Sequence, residues 1–142
     1  MKLKTVIILF FLICGYSNSY SQTYKFISTG YSVSEKSSTG KWGKWSDLKN
    51  TSVVISLDTN KNRIIIYSQE IQLYEILKYE EKTENEKDLV YPFICKNDDG
   101  DSFTISIITR KDQDNRKQLY INQNDVIIVY NSENFIEKEK NN

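Results

Sequence analysis

The sequence contains no histidine. Without an imidazole, Ser–His and Cys–His nucleophilic pairs are excluded, and the common zinc sites lose their usual ligand. It has one proline and five glycines, and no Pro-, Gly- or Ser-rich linker divides it. Neither charge sign is in excess, with 19 basic and 19 acidic side chains. That balance argues against a dedicated nucleic-acid surface, which needs clustered Lys and Arg to displace counterions. The longest apolar run, Thr5–Cys14, is half the ~20 residues a membrane-spanning helix needs.

What is present points to a small exported domain. The 142 residues suffice for one domain and not two. Apolar residues make up 39% and aromatics 13%, too aromatic for a disordered chain. Lys2 and Lys4 precede the apolar run, and the small, polar Gly15–Gln22 follows it. Basic, then apolar, then small is the layout of a secretory signal peptide. Ser19 and Ser21 fit the −3 and −1 positions, so cleavage is expected before Gln22. Lipidation at Cys14 is the rival reading, weakened by the bulky Ile13 before it. Removing residues 1–21 leaves 17 basic and 19 acidic groups, a net charge of −2, and Cys95 as the sole thiol. No internal disulfide can then form, although the compartment would permit one. The expected organisation is a signal peptide over residues 1–21, a single β domain over 22–131 and a polar tail over 132–142, with no transmembrane segment in the mature chain. Phe135 and Ile136 are the tail residues able to dock. The location is periplasmic or extracellular.

Short β-type runs separated by turn chemistry dominate the mature chain. Tyr24–Ser34 alternates loosely, with Ile27, Tyr31 and Val33 on one face. Ser52–Leu57 places Val53, Ile55 and Leu57 together, and Arg63–Tyr67 is apolar on both faces. Ile71–Lys78 fits a helical stripe in part. It also fits a strand with Ile71, Leu73, Leu77 and Tyr79 on one face, and its strand neighbours favour that. Leu89–Lys96 carries Pro92, which marks an edge or a bulge. Ser102–Arg110 alternates most clearly, with Phe103, Ile105 and Ile107 inward. Gln118–Asn122 and Asp125–Asn131 make the last hairpin. Asp58–Asn62, Asn97–Asp101 and Lys111–Lys117 read as turns, and Glu80–Asp88 as a charged loop. About eight strands with short connections form an all-β antiparallel meander, which closes naturally into a small barrel. A β-sandwich is the alternative, favoured by strands apolar on both faces.

No catalytic set assembles from these residues, and no metal or cofactor is implied. The carboxylates of Asn97–Asp101 lack the spacing of a calcium loop. Those of Glu80–Asp88 sit on a loop, where the fixed separation a glycosidase needs cannot be assumed. Cys95 belongs to an apolar strand face and reads as core. Trp42 and Trp45, two indoles within four positions of the polar segment Glu35–Lys49, are the most distinctive residues. They either plug one end of the barrel or form a stacking platform, and in the plug Trp45 is buried and Trp42 more exposed. Tyr74 is a weaker candidate for the same platform, with Tyr67, Tyr79, Tyr91, Tyr120 and Tyr130.

Gly40-Lys41-Trp42 and Gly43-Lys44-Trp45 resemble the Gly-x-Trp opening of lipocalins, a likeness of three residues that implies a barrel with a Trp plug. The signal ending Ser19-Tyr20-Ser21-Gln22 resembles those of small exported Bacteroidota proteins of unknown function, as do Trp45-Ser46, Leu119-Tyr120-Ile121 and Val129-Tyr130. That resemblance implies a Gram-negative envelope location and no activity. The expected function is a non-catalytic envelope binding module for a small apolar or glycan ligand, or for a protein. The alternative is an enzyme-inhibitor or immunity-type protein acting through Glu35–Lys49. A hydrolase built on carboxylates alone ranks third.

Overall fold

The structure, a computed structural model, describes residues 23–133. The signal peptide with its cleavage site, Cys14, and the docking of Phe135 and Ile136 lie outside the described residues.

Nine strands follow in chain order: β1 (Thr23–Glu35), β2 (Lys49–Asp58), β3 (Arg63–Tyr67), β4 (Ile71–Tyr79), β5 (Thr83–Glu84), β6 (Asp88–Lys96), β7 (Ser102–Arg110), β8 (Arg116–Asn122) and β9 (Val126–Glu133). All pairings are antiparallel. The meander closes twice over, because β9 returns to β1 and β4 pairs with β6 across the short β5. Eight strands therefore form one closed barrel, with β5 as an extra piece on the edge of β6, and the sandwich alternative falls away. Closure removes the exposed edges that an open sheet of this size would leave.

Turn chemistry sets the corners. Asp58 Oδ1 accepts the N–H groups of Asn60 and Lys61, and Asn62 completes the β2–β3 turn at a φ of 51°. Asn97 Oδ1 accepts the Asp101 N–H, and Gly100 supplies a φ of 84° in the β6–β7 turn. The β2–β3 and β7–β8 turns share one end of the barrel with residues 80–87. The β3–β4, β6–β7 and β8–β9 turns share the other.

The barrel interior is filled by branched side chains. Ile55, Ile64, Ile66, Cys95, Ile105, Leu119 and Ile121 are all fully buried, so its middle is a packed core and not a channel. Burial of one such aliphatic side chain contributes ~1.5–3 kcal/mol relative to exposure. Cys95 takes its expected place in this core.

Two faces differ from the sequence reading, and each strand carries a bulge. The register of β1 shifts between Ser28 and Gly30, so Phe26 and Ser28 point inward before the shift and Tyr31 and Val33 after it. Ile27 instead pairs on the outer face with Val54. On β4, Gln72, Tyr74 and Ile76 point inward, and a shift between Ile76 and Lys78 brings Tyr79 round to them. Ile71, Leu73 and Leu77, expected to face the core with Tyr79, are exposed on the outside. A strand whose apolar residues occupy both parities does not declare its inner face. Boundaries also move, and β2 begins at Lys49 rather than Ser52. Thr83–Glu84 forms β5 within the charged segment, Arg116 and Lys117 begin β8 instead of ending a turn, and β9 runs on to Glu133. Pro92 falls where the partner of β6 passes from β4 to β5, the one stretch that asks no ladder donor of it.

Candidate functional site

The β1–β2 connection, residues 36–48, is neither a free loop nor a plug. It turns at Ser37–Lys41, where Ser37 N–H donates to Lys41 O and Gly40 adopts a φ of 78°. It then runs back along β1, extending the β1–β2 ladder past its last regular pair. Gly43 N–H donates to Glu35 O at 2.8 Å, and Ser46 N–H donates to Val33 O at 2.8 Å. The side chains reinforce the seam: Ser46 Oγ accepts the Val33 N–H at 2.9 Å, and Ser34 Oγ donates to Gly43 O at 3.0 Å. Small residues on the outer wall make room for it. A Cβ at Gly30 would lie 3.0 Å from the Leu48 side chain, so the absence of one lets Leu48 sit flat against β1.

Trp45 lies on the outside of the barrel. Its ring meets Tyr120 edge-on, with centroids 6.3 Å apart and planes at 88°. Ser32, Val129 and Tyr120 form one cross-strand row on that outer wall, and the first two are buried although they face away from the core. The indole stands over Tyr120 at the end of that row. Trp42 pairs with Lys36 across a short bridge, and the Lys36 ammonium stands 4.9 Å from the indole centroid. Trp42 retains 41% exposure and Trp45 47%, and neither joins the core. The plug expectation, including a buried Trp45 beside a more exposed Trp42, is therefore incorrect. The barrel middle is already filled by isoleucine, and the connection is held on the outer side of β1. The four lysines of this neighbourhood, Lys36, Lys41, Lys44 and Lys49, take no part in the ion pairs found among the described residues.

Tyr74 is not part of this surface. It lies inside the barrel near the β3–β4 end, where its hydroxyl donates to Gln72 Oε1 at 2.9 Å. Gln72 Nε2 donates in turn to Ser68 Oγ at 3.1 Å and to Tyr130 Oη at 3.3 Å. Phe103 packs edge-on to Tyr74, and Tyr31 tilts against Tyr130. Burial pushes the Tyr74 phenol up to about 12, with Tyr130 and Cys95 adding smaller contributions. A neutral phenol tied into a satisfied network fixes the packing at that end.

The opposite end differs. Val53, Ser28, Ser132, Lys117, Thr109 and Leu89 form one inward-facing row across β2, β1, β9, β8, β7 and β6. Lys117 is half-buried, and its Nζ donates to Thr109 Oγ1 at 2.6 Å. Burial lowers its pKa. Lys117 was missed in the sequence because the segment before it reads as a turn. The signal was its parity, two and four residues before the inward Leu119 and Ile121. Tyr120 was noted only as one of several tyrosines, and its pairing with Trp45 depends on strands far apart in the chain.

On the outer wall near that end, Arg110 bridges strands. It contacts Asp88 at 2.9 Å and donates to Gln118 Oε1 at 2.7 Å. Gln118 donates on to Asn131 Oδ1 at 2.6 Å. Chemically, the molecule therefore offers an exposed indole surface flanked by lysines, and a half-buried, inward-facing amine at one end of a packed barrel. No known protein family, curated protein or solved structure matches the chain.

Proposed function

We propose that this chain is a non-catalytic binding module, exported to the cell envelope, that docks a glycan or a protein on the outer aromatic face carried by residues 36–48. The observation that carries this reading is the pair of half-exposed indoles on a hydrogen-bonded segment. Ring surface of that size, left out of the core and held in place, is what a partner can bury at little conformational cost. Indole faces accept the C–H side of a sugar ring, and Trp also dominates protein-binding hot spots. The packed barrel middle directs attention to this outer surface rather than to the interior. The envelope location rests on the signal-peptide layout of residues 1–21 and on the resemblance to exported Bacteroidota proteins.

Titration with a panel of neutral and acidic oligosaccharides, followed by intrinsic Trp fluorescence, tests the reading. A shift on binding that Trp42→Ala and Trp45→Ala each weaken supports it. Binding that leaves the indole emission unmoved and survives both substitutions refutes it. The inhibitor-type alternative draws on the same segment, since its seam with β1 gives a rigid projecting surface on an inert core. It predicts saturable 1:1 inhibition of a hydrolase, abolished by Trp45→Ala.

A further inference from the structure

The geometry points to a second site: at the β2–β3 end of the barrel, Lys117, Thr109 and Ser132 form a recess that binds the carboxylate of a small organic acid. Ser132, Lys117 and Thr109 are direct cross-strand partners on the inward face of β9, β8 and β7. Partners of this kind have Cβ atoms only ~4.5–5.5 Å apart, so their three side chains converge. The donors are left for a ligand. An ammonium has three N–H bonds, and one reaches Thr109 Oγ1. Thr109 Oγ1 accepts that bond and keeps its own O–H to donate. Ser132 Oγ is buried, with the residue 1% exposed, and has no partner, although buried hydroxyls are nearly always satisfied. Neighbouring Ser28 does not fill the gap, because its hydroxyl is directed to the carbonyls of Gly30 and Asn131.

Lys117 takes part in none of the ion pairs found among the described residues. Those pairs are Lys96–Glu75, Arg110–Asp88 and Lys111–Glu84, and at that end Glu84 is engaged by Lys111 and Asp88 by Arg110. A half-buried cation with no counter-ion among the described residues is costly, and a methionine of similar length would occupy the same position without that cost. A bound carboxylate supplies the missing charge and accepts from Nζ, Thr109 and Ser132 together. The recess also sets the ligand's size. Ile107 and Leu119, both buried, close it toward the packed middle, and Tyr91 stays exposed on the same face. A short acid is the ligand class this placement favours, because the packed middle begins at Ile107 and Leu119.

Phenylacetate, 2-phenylethanol and phenethylamine, titrated into the protein and followed by NMR shifts of the Thr109 and Ser132 amides, give the test. Phenylacetate should bind at least tenfold more tightly than the alcohol, and the amine should not bind. Lys117→Met should weaken phenylacetate at least tenfold while leaving the denaturation midpoint unchanged or higher, and Ser132→Ala should weaken it severalfold. Lys117→Gln repeats the measurement if the Met variant fails to fold. Equal affinity for acid and alcohol, no shift with phenylacetate, undiminished binding in the Lys117 variant, or a lowered midpoint in Lys117→Met would each overturn the site. The binding face of Trp42 and Trp45 is untouched by any of these outcomes.

Discussion

Cys95→Ala separates the packing role of the core thiol from its ionisation. Cys95 is fully buried, and burial pushes its thiol up to about 12 from an ordinary value of 9.0. Between those values the unfolded chain releases its proton while the native chain keeps it. The unfolded state then binds fewer protons, so stability falls as pH rises, by about 1.4 kcal/mol per pH unit. Stability from this source is complete below pH 9 and is lost progressively toward pH 12. At pH 10.5 the loss is about 2 kcal/mol. Tyr74, raised from 10.0 to about 12, adds less than about 1 kcal/mol by that pH, because its window has only begun. Alanine removes one core atom beyond Cβ, at a cost of about 1 kcal/mol, comparable to Ile→Val changes. The variant should therefore unfold more easily than the native protein at pH 8 and less easily at pH 10.5, with the two curves crossing near about pH 10. Urea midpoints with reductant present, taken at half-unit steps from pH 8 to 10.5, measure this. Parallel curves that never cross would show that the Cys95 thiol ionises as freely in the native state as in the unfolded one.

Three further outcomes follow from the packing. Ile55→Ala should cost ~2–5 kcal/mol, whereas Trp45→Ala, with about half its surface already in water, should cost roughly 1–2 kcal/mol, and iodide should quench both indoles; a Trp45 loss equal to that of Ile55 would restore the plug. Ser46→Ala removes the acceptor of the Val33 N–H and should speed hydrogen exchange at Val33 and Gly43 while leaving the far-UV spectrum unchanged; unaltered exchange would mean that the Ser46 side chain does not hold the seam. Gly100→Ala should cost roughly 1 kcal/mol from left-handed strain alone, since open space surrounds the position, and Gly100→Asn should cost less; equal stability of all three proteins would refute the turn geometry.

The architecture was legible because the turns are chemically explicit and the strands between them are short. Asp58, Asn97 and Gly100 mark corners with residues that bond their own backbone or tolerate positive φ, and a chain of antiparallel neighbours of this length closes. Inner faces were legible only where polar and apolar residues alternate, as on β7. On β4 they were not, since Ile71, Leu73 and Leu77 are as apolar as Tyr74 and Ile76, and the face is settled by the register with β3, with Tyr79 brought round by a bulge against β6. The indoles stand out in the sequence, but their placement is not written locally. It depends on Ser32, Ser34 and Gly30 being small enough to let the connection lie against the outer wall, and on Tyr120 standing across two strands.

The two ends of the barrel set the polar interior against itself. At the β3–β4 end, Ser68, Gln72, Tyr74 and Tyr130 satisfy one another, so the polar groups there are spent on order. At the β2–β3 end, the Lys117 amine meets one hydroxyl and Ser132 Oγ has no hydrogen-bond partner among the described residues. Both arrangements occupy inward positions where an aliphatic residue would serve stability at least as well. A closed network explains its own presence by fixing a unique packing. An open one does not, and its unused donors share one chemical demand, an anion small enough to reach them. The same barrel thus separates its tasks in space: isoleucines hold the middle, the tyrosine network locks one end, the Lys117 and Ser132 donors lie at the other, and the half-exposed indoles stand on the outer face.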